Sequence, residues 1–287
     1  FFFKQKTAYE ILTCDWSSDV CSSDLVSGGK DSQLCLALAL DTFPKEKIRA
    51  VHQSTGYDHP LTYEHLNWME EFYGIKIEYT QSDKYTDIFD LIEKQGYFPN
   101  NVARSCTGML KQEPFGKWLV ANNLLRPEAC LIWMGMRSNE SQARSKKYGE
   151  LDPDDVFPLS DLSGKYGIKF RHVMLSLPIV NYTEEEVFAE LKKRGHKVNE
   201  LYSKGAARVG CWPCLLARNA DWVLAANDPV GREHIKKLIA LEDKFIAEGN
   251  QRKLIRIHPK RDVRALLDNK TLFDEPDDES TCGWCSI

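Results

Sequence analysis

The spacing of hydrophobic and polar positions along most of the chain alternates between strand-like and helix-like segments. Short apolar runs at 48–52 and 131–136 are typical of buried strands, whereas 61–73 has helical spacing and closes on a glycine. The stretch 107–121 also predicts a helix, which Pro114 kinks or restarts because proline lacks a backbone N–H. Strands that alternate with helices of this length predict an α/β fold with a doubly wound parallel sheet.

The pattern changes in the C-terminal part of the chain. Thr183 and Glu186 form a capping box that opens a helix, and 230–247 carries apolar residues on one helical face. The last residues are acidic and then cysteine-bearing. We therefore predict a core domain at 26–180 and a cysteine-rich, mainly helical C-terminal extension at 181–287.

Residues 1–25 follow no sustained helical or strand period. Two stretches, 4–11 and 15–25, resemble translated sequencing-adapter DNA. We predict that 1–25 is an artefact fused in frame to a truncated gene, and that the authentic first strand is lost up to about Val26. These residues should then pack poorly or lie at a sheet edge. A genuine but unusual N-terminal arm is the alternative. Setting aside the two cysteines of this stretch leaves seven of nine.

Composition narrows the class of protein. The 287 residues are 43% hydrophobic and 28% charged, which is ordinary for a globular domain. Lys and Arg total 38 against 42 Asp and Glu, so the net charge of -4 does not encode non-specific binding to nucleic acid. No run approaches the roughly 20 apolar residues of a membrane helix. We expect a cytoplasmic enzyme with no membrane partner.

A glycine-rich stretch, Ser27-Gly28-Gly29-Lys30-Asp31-Ser32, lies between a strand end and a helix start. The glycines let backbone N–H groups approach a phosphate, and the helix N-terminus adds positive partial charge. Lys30 supplies a point charge, while Asp31 organises the loop or helps to hold Mg²⁺. A plain glycine turn is the alternative. The full set of six residues favours phosphate binding, although the spacing is not that of a Walker A loop.

This hexapeptide resembles the pyrophosphate loop (PP-loop) of the adenine nucleotide alpha-hydrolase superfamily. Further stretches resemble the PAPS-reductase-like branch of that superfamily, in order, over 26–245. They are Ser54-Thr55-Gly56-Tyr57, Arg104-Ser105-Cys106-Thr107 with Lys111 and Pro114, Gly135-Met136-Arg137-Ser138-Asn139-Glu140-Ser141 with Arg144, Pro178-Ile179, 199–202, Gly205, and Arg208-Val209-Gly210-Cys211-Trp212-Pro213-Cys214. Ser54 stands where the family often has Asp, so this chain lacks that carboxylate.

The resemblance implies that 26–180 is a PP-loop nucleotide-binding domain, with ATP or PAPS bound where the parallel strands end. It implies catalytic roles for Lys30, Cys106, Lys111 and Arg137. It implies nucleotide contacts from Ser27, Gly28, Gly29, Lys30, Asp31, Ser32, Thr55, Gly56, Gly135, Arg137 and Arg144. The cationic side chains would bind phosphate or sulfate oxygens. A solvated surface charge is the alternative for any one of them.

The cysteines form a second signal. Cys211 and Cys214 are one C-x-x-C pair, and Cys282 and Cys285 are another. Together with Cys106 they are candidate ligands of a 4Fe–4S cluster, with zinc as the alternative metal. Idle buried thiols are the alternative to metal binding. Cys35 and Cys130 lie in apolar runs and are expected in the core.

Two departures from PAPS reductases decide the predicted reaction. PAPS reductases usually have a degraded loop, whereas the loop here is intact. The C-terminus reads Thr281-Cys282-Gly283-Trp284-Cys285, where the reductases have the motif E-C-G-x-H. Both favour cleavage of Mg-ATP between the alpha and beta phosphates, adenylation of a substrate and sulfur transfer. A sulfur donor protein or thiol reductant is an expected partner, nucleic acid is a candidate acceptor, and a homodimer is left open. The alternatives are a PAPS reductase that releases sulfite and a nucleic-acid-binding Fe–S subunit without turnover.

Overall fold

The computed structural model describes residues 21–100, 103–127, 129–162, 168–250, 256–257 and 263–268. The predictions for residues 1–20 and for Cys282 and Cys285 lie outside these residues.

The described residues form a six-stranded sheet between helices. The strands are β1 (Cys21–Leu25), β2 (Ile48–Gln53), β3 (Ile77–Thr80), β4 (Cys130–Trp133), β5 (Val156–Pro158) and β6 (Met174–Ser176). Their order is β3-β2-β1-β4-β6-β5, and all neighbours are parallel except β5, which pairs antiparallel with β6 at the edge. The predicted α/β fold with a parallel sheet is confirmed, while the short β5 was not predicted.

Helices cover both faces of the sheet. They are α1 (Lys30–Thr42), α2 (Pro60–Tyr73), α3 (Ile88–Gln95), α4 (Glu113–Ala121), α5 (Gln142–Tyr148), α6 (Leu159–Leu162), α7 (Glu184–Lys193), α8 (Asn219–Asn227) and α9 (Pro229–Ala247). The predicted capping box opens α7, where the Glu186 N–H donates to Thr183 Oγ1 at 3.2 Å and the Thr183 N–H donates to Glu186 Oε2 at 2.7 Å.

The strand β1 occupies the centre of the sheet and pairs in parallel with both β2 and β4. The expectation that residues up to 25 pack poorly or at an edge is therefore wrong for Cys21–Leu25, and the sheet begins before the predicted boundary at 26. The physical reason is that ladder hydrogen bonds join backbone groups, so a polar segment can fill a central strand position. The adapter origin of 1–25 stays a prediction.

Alternate positions along the strands feed separate apolar cores on the two faces of the sheet. Val51 and Ile132 belong to the core beside α4, whereas Ala50 and Leu131 belong to the core beside α1. A third core joins the C-terminal helices α8 and α9 to α3. The C-terminal segment therefore packs onto the domain where the parallel strands end.

The helix predicted at 107–121 is divided in two. Thr107–Gln112 is π-helical and runs into α4, which has Pro114 in its first turn. The Glu113 N–H donates to the Gly108 carbonyl, five residues back, and Pro114 has no N–H to continue an α-helical ladder. In this wider turn, residues five positions apart project in similar directions. Cys106 and Lys111 are five positions apart, and both line the cavity described below.

No helix among the described residues is long and apolar enough to cross a membrane.

Candidate functional site

A cavity of about 490 Å³ opens where the parallel strands end. Its walls come from the glycine-rich loop, the end of β2, the π-helical segment, the residues after β4, and the segment 202–218. These are the elements on which the sequence placed the candidate residues. The fold therefore gathers stretches that are far apart in sequence into one site.

The glycine-rich loop is closed by its own serines. The Ser27 N–H donates to Ser32 Oγ at 3.1 Å, and Ser32 Oγ donates to the Gly29 carbonyl at 3.0 Å. Gly28 has a φ of 76°, and a Cβ there would lie 2.8 Å from Thr62 Cγ2. Only glycine fits this backbone. Gly28 packs behind the loop, whereas the other five predicted loop residues line the cavity.

The Lys30 side chain is buried beside the loop. Its Nζ lies 3.2 Å from Asp31 Oδ2 and 3.1 Å from Glu184 Oε1, which belongs to the first turn of α7. The ammonium also lies 5.3 Å from the ring centroid of Tyr202. The Lys30 ammonium therefore contacts oxygens of two carboxylates. A bound phosphate would offer it oxygens of the same kind.

Arg137 follows β4 and is also buried. Its Nε donates to Asp31 Oδ1 at 2.6 Å, and its Nη1 donates to Asn139 Oδ1 at 2.6 Å. Asp31 thus joins Lys30 to Arg137 and organises the loop. A Cβ on Gly135 would lie 2.6 Å from the Asp31 carbonyl, so this glycine permits the close approach of the residues after β4 to the start of α1.

Arg144 does not line the cavity. It is buried and forms an ion pair with Glu140. Glu140 in turn accepts the Arg137 backbone N–H at 3.1 Å and lies 3.4 Å from Arg208 Nη2. Arg144, predicted as a nucleotide contact, therefore lies behind the cavity wall, where it pairs with Glu140, while Arg208 lines the cavity.

The loop after β2 supplies Thr55 to the cavity but not Gly56, which packs against Asp87. Ser54 Oγ lies 3.3 Å from Tyr63 Oη, outside the cavity wall. The carboxylate at this strand end is Asp58, which lines the cavity and accepts from Thr55 Oγ1 at 3.1 Å. The chain therefore has a carboxylate here, four positions after Ser54.

Three of the five candidate cysteine ligands, Cys106, Cys211 and Cys214, line the same cavity. Cys211 Sγ lies 3.4 Å from Thr55 Oγ1, and burial raises the pKa of the Cys211 thiol to about 12, although the positive charge of Lys111 opposes the rise. Burial, followed by the charges of Cys211 and Cys214, also raises the pKa of Tyr57 well above its ordinary value.

A metal centre does not follow from these thiols alone. In the part of the chain that the structure describes, no group of three or more His, Cys, Asp or Glu side chains stands in a metal-binding arrangement. Cys282 and Cys285 are not among those residues. Cys35 and Cys130 are buried in the core, where they were expected.

The family of the chain follows from its sequence as a whole. Residues 23–217 match the family model of the phosphoadenosine phosphosulfate (PAPS) reductase domain. The chain belongs to this family. The match covers the loop, the residues after β4 and the pair Cys211 and Cys214, and it begins within β1.

Known proteins similar to this PAPS reductase domain include an uncharacterized 37.8 kDa protein of Escherichia phage 186. The two are 29% identical over an alignment of 241 positions that covers 68% of this chain and 67% of the phage protein. Adenosine 5'-phosphosulfate reductase of Pseudomonas aeruginosa is 26% identical over 58% of this chain, and the chain spans only 57% of that reductase. Among solved structures, the PAPS reductase from Candida auris, in a phosphate complex, is 14% identical; the match covers 72% of this chain and 89% of that one, with a TM-score of 0.49.

Sequence reasoning about this PAPS reductase domain missed several residues of the cavity wall. Asp58, Glu184, Tyr202 and Arg208 all line it, and none was given a role. Two of them had a signal, since Tyr202 and Arg208 belong to stretches that resemble the family. Glu184 and Asp58 had no such signal, because only tertiary packing brings Glu184 to the loop and Asp58 to Cys211.

Proposed function

We propose that this PAPS reductase family member binds Mg-ATP, cleaves it between the alpha and beta phosphates, and adenylates an acceptor to which sulfur is then transferred. The observation that carries the proposal is the intact loop Ser27–Ser32 with two buried cations, Lys30 and Arg137, beside it. PAPS carries a sulfated phosphate and has no pyrophosphate leaving group. It therefore does not need a loop and cations that stabilise such a group.

The chemistry requires this charge in one place. An acceptor oxygen attacks the alpha phosphorus, the bond to the bridging oxygen breaks, and pyrophosphate leaves with that electron pair. Lys30 and the loop N–H groups stabilise the charge that develops on the leaving group. A sulfur nucleophile then displaces AMP from the adenylated acceptor. Asp31 is the candidate carboxylate for Mg²⁺, which would offset the negative charge of the phosphates.

For the sulfur step we propose that Cys106, Cys211 and Cys214 hold a 4Fe–4S cluster, with Cys282 or Cys285 as further ligands. Thiolates are the ligands such clusters need, and three thiols share the cavity wall. A cluster held by these cysteines would supply the sulfur chemistry of the transfer step. Zinc in the same place would be structural.

Metal content tests the cluster separately from the reaction. The protein is purified without oxygen, and iron, zinc and acid-labile sulfide are measured for the full chain, for Cys211→Ala and for the matched core variant Cys35→Ala. We expect iron and sulfide in the full chain and in Cys35→Ala, and loss of both in Cys211→Ala. A full chain without iron and sulfide would contradict the cluster, and zinc in their place would support the structural metal.

Product analysis tests the reaction. Radiolabelled Mg-ATP is incubated with the full chain, with transfer RNA or duplex DNA as the acceptor probe. We expect AMP and pyrophosphate in equal amounts and no ADP. Formation of ADP, or no turnover with either probe while PAPS is consumed, would overturn the proposal.

Reductive release of sulfite is the second candidate, favoured by the family match and by the thiols in the cavity wall. In that reaction the thiolate of Cys106 or of a C-terminal cysteine attacks the sulfur of PAPS and displaces the nucleotide. A second thiol then attacks the resulting thiosulfonate, so that a disulfide forms and sulfite leaves. Thiol-dependent sulfite release from PAPS, without ATP turnover, would select this candidate.

A further inference from the structure

A short turn from the C-terminal segment lies against the glycine-rich loop. Asn199 is buried, and its Nδ2 donates to the Gly28 carbonyl at 3.2 Å. The Lys30 backbone N–H donates to Tyr202 Oη at 3.0 Å. These partners are 171 and 172 positions apart in sequence, so the tertiary fold fixes two backbone groups of the loop from outside it.

The Tyr202 hydroxyl has one hydrogen bond left to make. A phenol accepts through its oxygen and donates one proton, and here the oxygen accepts from Lys30. Among the described residues no acceptor for that proton is found. Tyr202 lines the cavity, and its Oη lies 3.2 Å from where a Cβ on Gly29 would stand. Burial raises the pKa of Tyr202 well above its ordinary value, so the hydroxyl keeps its proton at neutral pH.

The ring that carries this hydroxyl is held in place. Phe188, on α7, packs edge-to-face against Tyr202 with ring centroids 5.3 Å apart. The Lys30 ammonium lies 5.4 Å from the Phe188 centroid and 5.3 Å from that of Tyr202. The hydroxyl and the Lys30 ammonium therefore both lie at the start of α1.

We propose that Tyr202 is a phosphate-binding residue: its hydroxyl accepts the Lys30 N–H and donates its proton to an oxygen of the pyrophosphate part of the nucleotide. The inference rests on the proposed function, because it needs a nucleotide in this cavity. It adds a donor from outside the loop. It also predicts that Tyr202 distinguishes ligands with a pyrophosphate group from AMP, since only the former reach the start of α1.

Calorimetric titration of the full chain and of Tyr202→Phe tests the inference. The probes are Mg-ATP, inorganic pyrophosphate and AMP. We expect Tyr202→Phe to weaken the binding of Mg-ATP and pyrophosphate by about ten- to a hundredfold, the effect of one hydrogen bond to a charged group. The affinity for AMP should not change. Phe188→Leu keeps the hydroxyl and should weaken pyrophosphate binding at most a few-fold.

The outcomes separate the two claims. If the full chain binds neither ATP nor pyrophosphate, the proposed function fails. If the full chain binds them and Tyr202→Phe binds them as tightly or more tightly, Tyr202 only anchors the loop and the inference is wrong. Equal losses for AMP and pyrophosphate, as general disruption of the fold would cause, would also contradict it.

Discussion

The Glu140 carboxylate is the common partner of three arginines: it pairs with Arg144 and Arg208 and accepts the backbone N–H of Arg137. Its side chain is only 10% exposed, and that of Arg144 only 2%. Removing one partner of a buried pair leaves the other charge in a low-dielectric environment, which costs more than the pair contributes. The position of the cavity arginines therefore depends on this one carboxylate, which itself lines the cavity.

We expect Glu140→Gln to lower the free energy of unfolding by about 3 kcal/mol, because Arg144 keeps its charge and loses this carboxylate. Urea denaturation measures the effect. The matched control is Glu233→Gln, which breaks the exposed pair with Lys236 and should change stability little. The double variant Glu140→Gln/Arg144→Met should recover part of the loss. A loss below about 1 kcal/mol for the single variant would contradict this account.

His65 gives the protein a pH dependence that can be located. Burial, aided by the positive charge of Lys197, lowers the pKa of His65 from 6.5 to about 4. The His65 side chain therefore binds a proton more readily in the unfolded chain than in the folded one. Its contribution to stability is complete above pH 6.5 and is lost as the pH falls towards 4.

We expect the free energy of unfolding to fall by up to about 3 kcal/mol between pH 6.5 and 4 through this residue. His65→Gln should remove that part of the pH dependence. Denaturation curves at several pH values measure both chains. The same slope in the variant and the parent would show that other groups, such as His52 and His234 with their lowered pKa values, dominate.

Among the strands and helices, β1 is the element whose central position most needs an experimental test. It pairs with β2 on one side and β4 on the other, so its loss would split the sheet into two halves. We expect a chain that lacks residues 1–20 to keep its melting temperature, and a chain that lacks 1–25 to lose cooperative unfolding. Circular dichroism during heating measures both. An unchanged transition without 1–25 would show that another segment fills the central position.

Local sequence predicted those elements whose signals are local. The alternation of strands and helices, the capping box at Thr183 and the loop Ser27–Ser32 each depend on neighbouring residues, and each forms as predicted. The π-helical turn at Thr107–Gln112 was predicted only as a helix disturbed by Pro114. Its hydrogen-bond register follows from tertiary packing as well as from the missing N–H.

Contacts between distant segments account for what sequence could not predict. Arg144 carried the same family signal as Arg137, yet one lies behind the cavity and the other lines it. Glu184 and Asp58 had no signal, because Glu184 meets Lys30 and Asp58 meets Cys211 only after folding. The central position of β1 was not predicted, because the sequence of this segment is unfavourable for a strand. Backbone pairing with β2 and β4 outweighs that preference.

In the molecule as a whole, the C-terminal segment completes the candidate site. The helices α8 and α9 share a core with α3, and the segment 202–218 forms one wall of the cavity. The boundary predicted at 180 therefore separates the sheet from a part that shares its site. Lys30 from the first helix and Tyr202 from the C-terminal segment meet at the loop.

Parallel titrations with Mg-ATP and with PAPS decide whether the site favours ATP. The full chain is compared with Lys30→Ala and with the exposed control Lys236→Ala. We predict that Mg-ATP binds more tightly than PAPS, and that Lys30→Ala weakens Mg-ATP binding by about tenfold or more while Lys236→Ala does not. A full chain that binds PAPS but not Mg-ATP would contradict the account.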